Sequence, residues 1–397
     1  MTEAESPEEL RALLGALVCE LEEEGALRSP EWRAAVEGLP RHVFLPEFFR
    51  DAPGEDGITR YSPVSGSVDR KKWLTLAYEN KTWVTQLDHG ATTSNSAPVL
   101  GTPTSSSTLP GVVVRMLEEL DVTDGARVLE VGTGTGYSTG LLCQRLGDGN
   151  VTSVEHDAAL SRLAGERLAS LGFAPELVTG DGAQGWAEGA PYDRIIATYS
   201  PPSIPAAWLR QAARDGVVIL ASVVGSLDAY GYVKVRVESP EEGRGHFIDG
   251  AVSFMPSREM ARPEIGPLIR PALDARQGVS GVRSTVGPGM LADRSLMWAL
   301  QLQLPGALTV GLNFEGRSGR WFLHPDGSWA VLESDREGMA YAYQGGPRDM
   351  WTTIEAAASR WLTEGRPALD RYGLTVTPEE NVVWLDVPTR RVGKLGE

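Results

Sequence analysis

The start of the chain carries an apolar pattern of helical period. Leucine and valine recur at spacings of three and four, at Leu10, Leu13, Leu14, Leu17, Val18 and Leu21. This spacing predicts an amphipathic helix, capped by Ser6. A second short helix is predicted after Ser29-Pro30, because proline is tolerated in a first turn. Residues 51–67, rich in Gly, Pro and Ser, are predicted to be loop, so residues 1–75 form a segment of helices and loops.

Residues 75–109 lack a regular apolar pattern. Their composition turns to Thr, Ser, Asn, Pro and Gly, most densely in GATTSNSAPVLGTPTSSSTLP. A flexible linker explains this composition. A functional loop explains it equally well, because the stretch lies directly before a helix predicted over 111–120. Both interpretations stay open.

The middle of the chain alternates short β-rich runs with helical stretches. The runs are ARVLEV, VTSVEHD, PELVTGD, YDRIIAT and VVILAS, and the helices are predicted near 138–146, 158–171 and 206–213. Strands separated by helices indicate βαβ units and a doubly wound parallel sheet. Two further runs, YGYVKVRVE and HFIDGAVSFMP, joined by the polar turn SPEEGRG, predict an antiparallel hairpin that closes the sheet. The α/β core then ends near Pro256.

The last part, residues 257–397, holds β-like runs such as ALTVGLNF and NVVWLDV and a helix predicted over 350–362. This mixture predicts an additional C-terminal α+β domain. Its tryptophans, at Trp298, Trp321, Trp329, Trp351, Trp361 and Trp384, are expected to pack in the core. A peptide-binding groove would also use some of them.

Composition narrows the class of partner. The chain has 397 residues and a formal net charge of -16, from Lys+Arg 37 and Asp+Glu 53. A field of this sign repels phosphate backbones and anionic membrane surfaces, so we expect neither nucleic acid nor a membrane as partner. Cys19 and Cys143 are too few for a disulfide framework or a zinc site, and no metal is predicted. The acidic N-terminus lacks the order of a signal peptide, so we expect a cytoplasmic protein.

A glycine-rich string follows the first core strand. VLEVGTGTGYS places Gly132, Gly134 and Gly136 between a predicted strand and a predicted helix. Glycine permits a tight turn and lets a ligand approach the backbone. The string alone has low specificity, because glycine-rich βα turns also bind dinucleotides or nothing.

Acidic residues mark the same edge of the predicted sheet. Glu130 ends the first strand, where a carboxylate suits the cationic amine of an amino-acid moiety and would repel a pyrophosphate. Glu155 ends the second strand, at the position where doubly wound folds place a carboxylate on ribose hydroxyls. Asp181 follows the third strand. Each alone is more often a surface carboxylate, but together they predict one ligand that has hydroxyls and a positive charge.

These motifs resemble those of class I S-adenosylmethionine-dependent methyltransferases, which have a Rossmann-like α/β core. The resemblance implies S-adenosylmethionine as cofactor. It implies a binding site made of Glu130, Gly132, Thr133, Gly134, Gly136, Tyr137, Glu155, Asp181 and Gly182, with His156 at its edge. More narrowly, EVGTGTGYSTGLL, SVEHD and GDGAQGWAEGAPYDRIIAT resemble protein L-isoaspartyl O-methyltransferases. The likeness covers roughly 76–256, which we expect to be the methyltransferase domain.

On the acceptor side, the family has a hydroxyl residue in a Ser-x-Pro stretch beside the substrate carboxylate. The match here falls on Thr108-Leu109-Pro110, with Ser107 one step away. The alternative is that these hydroxyls only cap the helix that starts near Pro110. Gly111 and the run Thr198-Tyr199-Ser200-Pro201-Pro202 depart from the family's pattern. The departures touch the acceptor side and leave the cofactor motifs intact.

The long C-terminal region and the serine-rich loop resemble a branch of this family found with ribosomally made, modified peptides, such as those of ATP-grasp or lanthipeptide clusters. That resemblance implies methylation of an aspartate in a precursor peptide, followed by closure to an aspartimide. Residues 257–397 would then recognise the peptide. General isoaspartyl repair, a small-molecule methyltransferase and an inactive scaffold that partners a peptide ligase are the alternatives. The oligomeric state stays open.

Overall fold

A computed structural model describes residues 7–54, 58–93, 97–213, 216–258, 260, 263–314, 317–334 and 338–396. The proposed cap Ser6 lies outside these residues. The chain divides into two compact units: Met1–Tyr199 with Ala207–Leu220, and Ser200–Ala206 with Ala221–Glu397. The division of the chain at residues 75 and 256 stays a prediction.

The first unit begins with helices and a small sheet. Its elements up to the core are α1 Pro7–Glu23, α2 Pro30–Gly38, β1 Glu47–Pro53, β2 Thr59–Ser65, α3 Arg70–Ala77, β3 Trp83–Leu87, β4 Pro103–Ser107 and α4 Pro110–Glu119. Both helices predicted near the N-terminus are present, and Ser29 caps α2 by accepting from the Trp32 N–H.

Two segments predicted as loop or linker contain strands instead. The strands β1 and β2 pair antiparallel, and the four-stranded sheet has the order β2-β1-β3-β4. Residues 51–67 are therefore largely a hairpin, and residues 75–109 contribute β3 and β4, although residues 94–96 lie outside the described part. Pro63 and Pro103 hid these strands, since proline in a strand is confined mainly to sheet edges, and β2 and β4 are the edges here.

The rest of the first unit is the parallel core. It comprises β5 Val128–Val131, α5 Tyr137–Leu146, β6 Val151–Glu155, α6 Ala158–Ser170, β7 Glu176–Thr179 and β8 Arg194–Ala197, and the division between the units passes through α7 Ala206–Arg210 and β9 Val218–Val224. All neighbouring strands pair in parallel, in the order β7-β6-β5-β8-β9. The predicted doubly wound order is confirmed, and the strand order reverses at β5, where such folds bind ligands.

The second unit is built on antiparallel strands. Its elements are β10 Tyr230–Ser239, β11 Glu242–Phe247, α8 Ile265–Arg276, β12 Val282–Arg283, α9 Pro288–Leu291, α10 Arg294–Gln301, β13 Leu308–Phe314, β14 Arg317–Leu323, β15 Trp329–Ser334, β16 Ala340–Gly345, α11 Met350–Thr363, β17 Tyr372–Val376, β18 Asn381–Leu385 and β19 Arg391–Leu395. Strands follow the order β9-β10-β11-β17-β18-β19, and a separate sheet has the order β12-β16-β15-β14-β13.

The closing hairpin is antiparallel as predicted, but its turn is shorter. Ser239 pairs with Glu242, so the second strand, EGRGHF, begins inside the predicted turn. It ends at Phe247, whereas the predicted strand HFIDGAVSFMP runs on to Pro256. All six tryptophans of this region are buried, which confirms core packing. Among the described residues, no helix has the length and apolar character needed to cross a membrane.

Candidate functional site

The candidate site lies where the core strands end. Val131 is in register with Val154 and with Ala197, and Glu155 is in register with Thr179. Because parallel strands that share a register end at one edge, the loops after β5, β6, β7 and β8 start side by side. The motifs singled out in the sequence are therefore brought together at this carboxyl edge.

The glycine loop bridges β5 and α5. The Gly132 N–H donates to the Val154 carbonyl at 2.8 Å and the Gly134 N–H to Glu155 Oε2 at 2.8 Å. Gly134 has a φ of 55°, and among the described residues a Cβ built on it would come within 4 Å of one atom, the Ser106 carbonyl oxygen, at 3.9 Å. The backbone at Gly134 therefore faces open space, whereas a Cβ on Gly132 would lie 2.9 Å from Thr198 Oγ1. This open side is a cradle for a ligand.

Glu130 lies beneath the loop and does not line the cradle. Its side chain is 0% exposed, and its carboxylate accepts from the hydroxyls of Ser138, Thr139 and Ser153. Burial raises the pKa of Glu130, and the three hydroxyls oppose that shift. The three hydroxyls come from α5, which follows the loop, and from β6, which pairs with β5, so the buried carboxylate is held within the fold. We therefore assign Glu130 to holding the loop, in place of the expected contact with a ligand amine.

The side chains of Thr133 and Tyr137 also turn inward. The Thr133 hydroxyl shares a hydrogen bond of 2.7 Å with the Ser153 hydroxyl. The Tyr137 ring packs against Phe44, and its buried hydroxyl has no hydrogen-bond partner among the described residues. Burial raises the pKa of Tyr137 to about 12. The Thr133 hydroxyl is therefore used within the fold, so a contact of Thr133 with a ligand has to come from its backbone.

Glu155 ties two turns of the edge together. One carboxylate oxygen accepts from the Gly134 N–H and the other from the Asp157 N–H, at 3.0 Å. The side chain is nearly buried, whereas His156 beside it is exposed. A carboxylate held in this way keeps free lone pairs on both oxygens, which suits a pair of ligand hydroxyls.

The third loop adds Asp181 and Gly182. Asp181 is half-buried, and its carboxylate accepts from the Ala183 N–H at 2.8 Å. A Cβ on Gly182 would lie 2.4 Å from Val131 Cγ1 and within 3.8 Å of the Tyr199 ring, so only glycine lets this loop approach the end of β5. The Tyr199 ring thus lies beside the same loop.

The two hydroxyls expected on the acceptor side, those of Ser107 and Thr108, lie on and after β4, the strand that faces Gly134. Ser107 is 3% exposed, and its Oγ has no hydrogen-bond partner among the described residues. Thr108 is half-buried. The N-cap residue of α4 is Leu109, and its side chain makes no capping hydrogen bond. The alternative that Ser107 and Thr108 only cap this helix is therefore wrong. A buried hydroxyl without a partner is costly, and a bound ligand would relieve that cost.

Two residues hold the glycine loop in roles that the sequence did not predict. The Thr198 hydroxyl donates to the Gly132 carbonyl at 2.6 Å, and the Arg167 guanidinium to the Thr135 carbonyl at 3.1 Å. Both therefore brace the glycine loop from outside. A hydroxyl residue directly after the fourth strand was a usable signal for Thr198. Nothing in the sequence signals Arg167, because it reaches the loop from the far part of α6.

Comparison with known proteins identifies related sequences. The sequence model of the protein-L-isoaspartate(D-aspartate) O-methyltransferase family matches residues 63–231. A protein-L-isoaspartate O-methyltransferase of Klebsiella pneumoniae is 40% identical over 154 residues, which is 38% of this chain and 68% of that protein. The second such enzyme of Pelobacter propionicus is 32% identical over 231 residues, 58% of this chain and 83% of that protein.

Similarity in structure extends over more of the chain. A solved protein-L-isoaspartate O-methyltransferase aligns with a TM-score of 0.51 and 18% identity, and the alignment covers 94% of this chain and all of that one. At this identity, the likeness concerns the fold alone. It confirms the Rossmann-like methyltransferase fold predicted from the alternating pattern.

Proposed function

Because the chain belongs to the protein-L-isoaspartate O-methyltransferase family, we propose that it transfers a methyl group from S-adenosylmethionine to a carboxylate of a peptide. One observation carries the proposal. The open backbone at Gly134 faces β4, the strand that ends in the buried, unpartnered Ser107 hydroxyl. A donor held by the glycine loop and an acceptor held by Ser107 would then be neighbours.

S-adenosylmethionine is the cofactor of this family, and the residues of the edge fit it. The glycine loop leaves space for the amino-acid part, and Glu155 offers lone pairs to the ribose hydroxyls. Asp181 and Gly182 would lie against the adenine end, beside the Tyr199 ring. His156 is exposed and would contact only the outer rim.

Methyl transfer to a carboxylate requires no general acid–base catalysis by the protein. The bound cofactor supplies an electrophilic methyl group on a sulfonium. An aspartate carboxylate is ionised at neutral pH, since its reference pKa is about 3.9, so no general base is needed. Ser107 and Thr108 would donate hydrogen bonds to the acceptor carboxylate and aim one oxygen at the methyl group. Alignment of this kind can account for roughly 7–11 kcal/mol of a barrier.

The finer proposal concerns the acceptor: an aspartate of a ribosomally made, modified peptide. After methylation, the nitrogen of the following backbone amide attacks the ester carbonyl. The new C–N bond forms, the bond to methoxide breaks, and the amide proton leaves with methoxide as methanol, giving an aspartimide. In this proposal residues 257–397, which lie beyond the sequence match at 63–231, recognise the peptide. The departures from the family's pattern at Gly111 and at residues 198–202 support a substrate other than an ordinary isoaspartyl protein.

General repair of isoaspartyl proteins is the second candidate. It is favoured by the names of the two relatives reported above, each a protein-L-isoaspartate O-methyltransferase. Repair requires no additional domain, because the Pelobacter propionicus relative is matched over 83% of its length by 231 residues of this chain. The additional region does not separate the two proposals, because the alignment with the solved protein-L-isoaspartate O-methyltransferase covers 94% of this chain.

Mass spectrometry of the purified protein with S-adenosylmethionine tests both. The acceptors are an isoaspartyl peptide, its aspartyl counterpart and a modified precursor peptide encoded near the gene. Gain of one methyl and then loss of methanol on the precursor alone would support the finer proposal. Transfer to the isoaspartyl peptide alone would support repair. Transfer to none of the three would contradict carboxyl methylation and leave a small-molecule acceptor or an inactive scaffold.

A further inference from the structure

Arg41 is a buried cation that lies outside the proposed contacts with the cofactor and the acceptor. It is 0% exposed, and its guanidinium donates to the carbonyls of Ala77, Glu79 and Lys81, at 2.8, 2.7 and 2.9 Å. Within the described ranges, no carboxylate forms an ion pair with it. Burial lowers the pKa of Arg41 to about 10. A buried cation without a counterion is costly, so its three carbonyl contacts call for an explanation.

The turn at residues 77–82, whose carbonyls bind Arg41, also holds the residues that follow Ser107 and Thr108. The Thr82 hydroxyl accepts from the Leu109 N–H at 3.0 Å, and the Asn80 side-chain oxygen accepts from the Gly111 N–H at 2.8 Å. These N–H groups belong to the start of α4, which has no side-chain cap of its own. Asn80 and Thr82 therefore satisfy two of the orphan donors of that helix. The residues they fix follow Ser107 and Thr108 directly.

On its other side, the segment around Arg41 packs on the helix that follows the glycine loop. A Cβ on Gly140 of α5 would lie 2.9 Å from Phe44 Cζ and 3.0 Å from Leu39 Cδ2, so only glycine allows this approach. The Arg41 guanidinium carbon lies 5.8 Å from the centre of the Tyr137 ring. Residues 39–45 thus lie between α5 and the turn at 77–82.

We propose that Arg41 is a positioning residue: it fixes the acceptor hydroxyls of β4 relative to the glycine loop through the turn at 77–82. That these hydroxyls bind the acceptor carboxylate rests on the proposed function. The structural link from Arg41 through the turn at 77–82 to the start of α4 does not. Arginine suits this place because its planar fork spans three carbonyls, which a lysine ammonium does not.

Arg41→Lys tests the link, with Arg194→Lys as a matched control. Arg194 also donates to three carbonyls, those of Leu120, Asp121 and Asp193, at the amino end of β8. Leu120 and Asp121 follow α4 at its carboxyl end, roughly three helical turns from Leu109 and Gly111. Hydrogen exchange is followed in a peptide that covers residues 103–113. In Arg41→Lys, the amides of Leu109 and Gly111 should exchange roughly tenfold faster, as expected for weakening one hydrogen bond. Arg194→Lys should leave them unchanged.

Kinetics then distinguish positioning from general damage. In Arg41→Lys, kcat/KM for the peptide acceptor should fall roughly tenfold, whereas the Kd for S-adenosylhomocysteine should stay within about twofold of wild type. Thr82→Val should show the same split. The double variant should be no worse than the more impaired single variant, because both act on one anchor.

Three results would overturn the proposal. The first is unchanged exchange at Leu109 and Gly111 in Arg41→Lys. The second is the same acceleration in Arg194→Lys, and the third is an equal loss of cofactor affinity and acceptor efficiency. If Arg41→Lys does not fold, Arg41→Gln, which removes the buried charge and keeps an amide donor, takes its place. A wild-type protein without methyl transfer refutes the proposed function, while the exchange rates still decide on the link.

Discussion

The cradle at Gly134 predicts that two neighbouring glycines respond to alanine in opposite ways. Gly134 has a φ of 55°, and its Cβ would enter open space. Alanine in this left-handed region costs roughly 1–2 kcal/mol, so the fold of Gly134→Ala should lose only a few degrees of Tm. The added methyl group fills the space between the loop and Ser106 in which we place the cofactor. A cofactor displaced by this methyl group would lose a hydrogen bond between its charged amino-acid part and the loop. Such a loss weakens the free energy of binding by about 1.5–3 kcal/mol, which raises the Kd of the cofactor roughly tenfold to a hundredfold.

Gly132→Ala is the matched comparison. Gly132 has a φ of 105°, and its Cβ would lie 2.9 Å from Thr198 Oγ1 and 3.2 Å from the Thr198 carbonyl carbon. Backbone strain of roughly 1–3 kcal/mol adds to overpacking of similar size. This variant should therefore lose stability first, before any effect on binding.

The assay is a thermal melt of both variants with and without S-adenosylhomocysteine, together with calorimetric titration. Gly134→Ala should melt close to wild type without ligand and gain little on addition of ligand. Gly132→Ala should melt well below wild type without ligand. Wild-type affinity in Gly134→Ala would refute the placement of the cofactor, and so would a loss of stability equal to that of Gly132→Ala.

Three further substitutions test the hydroxyl and carboxylate assignments. Glu130→Gln puts an amide donor where hydroxyls now donate, and urea unfolding should show a loss of about 1–3 kcal/mol; an unchanged midpoint would contradict the buried network. Tyr137→Phe should keep cofactor affinity. Burial raises the pKa of Tyr137 from 10.0 to about 12, so the stability that its proton contributes is complete below pH 10 and is lost towards pH 12. Between pH 10 and pH 12, Tyr137→Phe should therefore lose less stability than wild type, and equal losses would contradict the raised pKa. Ser107→Ala should lower kcat/KM for the acceptor, whereas Ser105→Ala, on the same face of β4 but bonded to Thr85 Oγ1 at 3.2 Å, should leave it near wild type; equal effects would argue against an acceptor role for Ser107.

The parallel core was predictable because its signals are local. Each core strand is a short β-rich run between turn residues, and the glycines and acidic residues fall at strand ends, which share one edge of a parallel sheet. The contact between Gly134 and Glu155 follows from that logic. The sequence therefore predicted which residues the fold brings together at this edge, and their contacts with a cofactor stay a prediction.

The remainder depends on contacts distant in sequence. The direction in which Glu130 points is decided by Ser138, Thr139 and Ser153, and no periodicity reports it. The hairpin of β1 and β2 was hidden by Gly, Pro and Ser: β2 is an edge strand, which tolerates Pro63, and Pro53 ends β1. Arg41 looks like an ordinary surface arginine until the fold buries it against carbonyls 36 to 40 residues away.

The central claim is that the donor lies between the glycine loop and β4. A crystal structure of the protein with S-adenosylhomocysteine and an acceptor peptide tests it most directly. We predict that the ligand contacts the backbone of Gly134, that its ribose hydroxyls meet Glu155, and that the peptide carboxylate lies within hydrogen-bond distance of Ser107 or Thr108. A ligand bound elsewhere, or a carboxylate held away from both hydroxyls, would contradict the account.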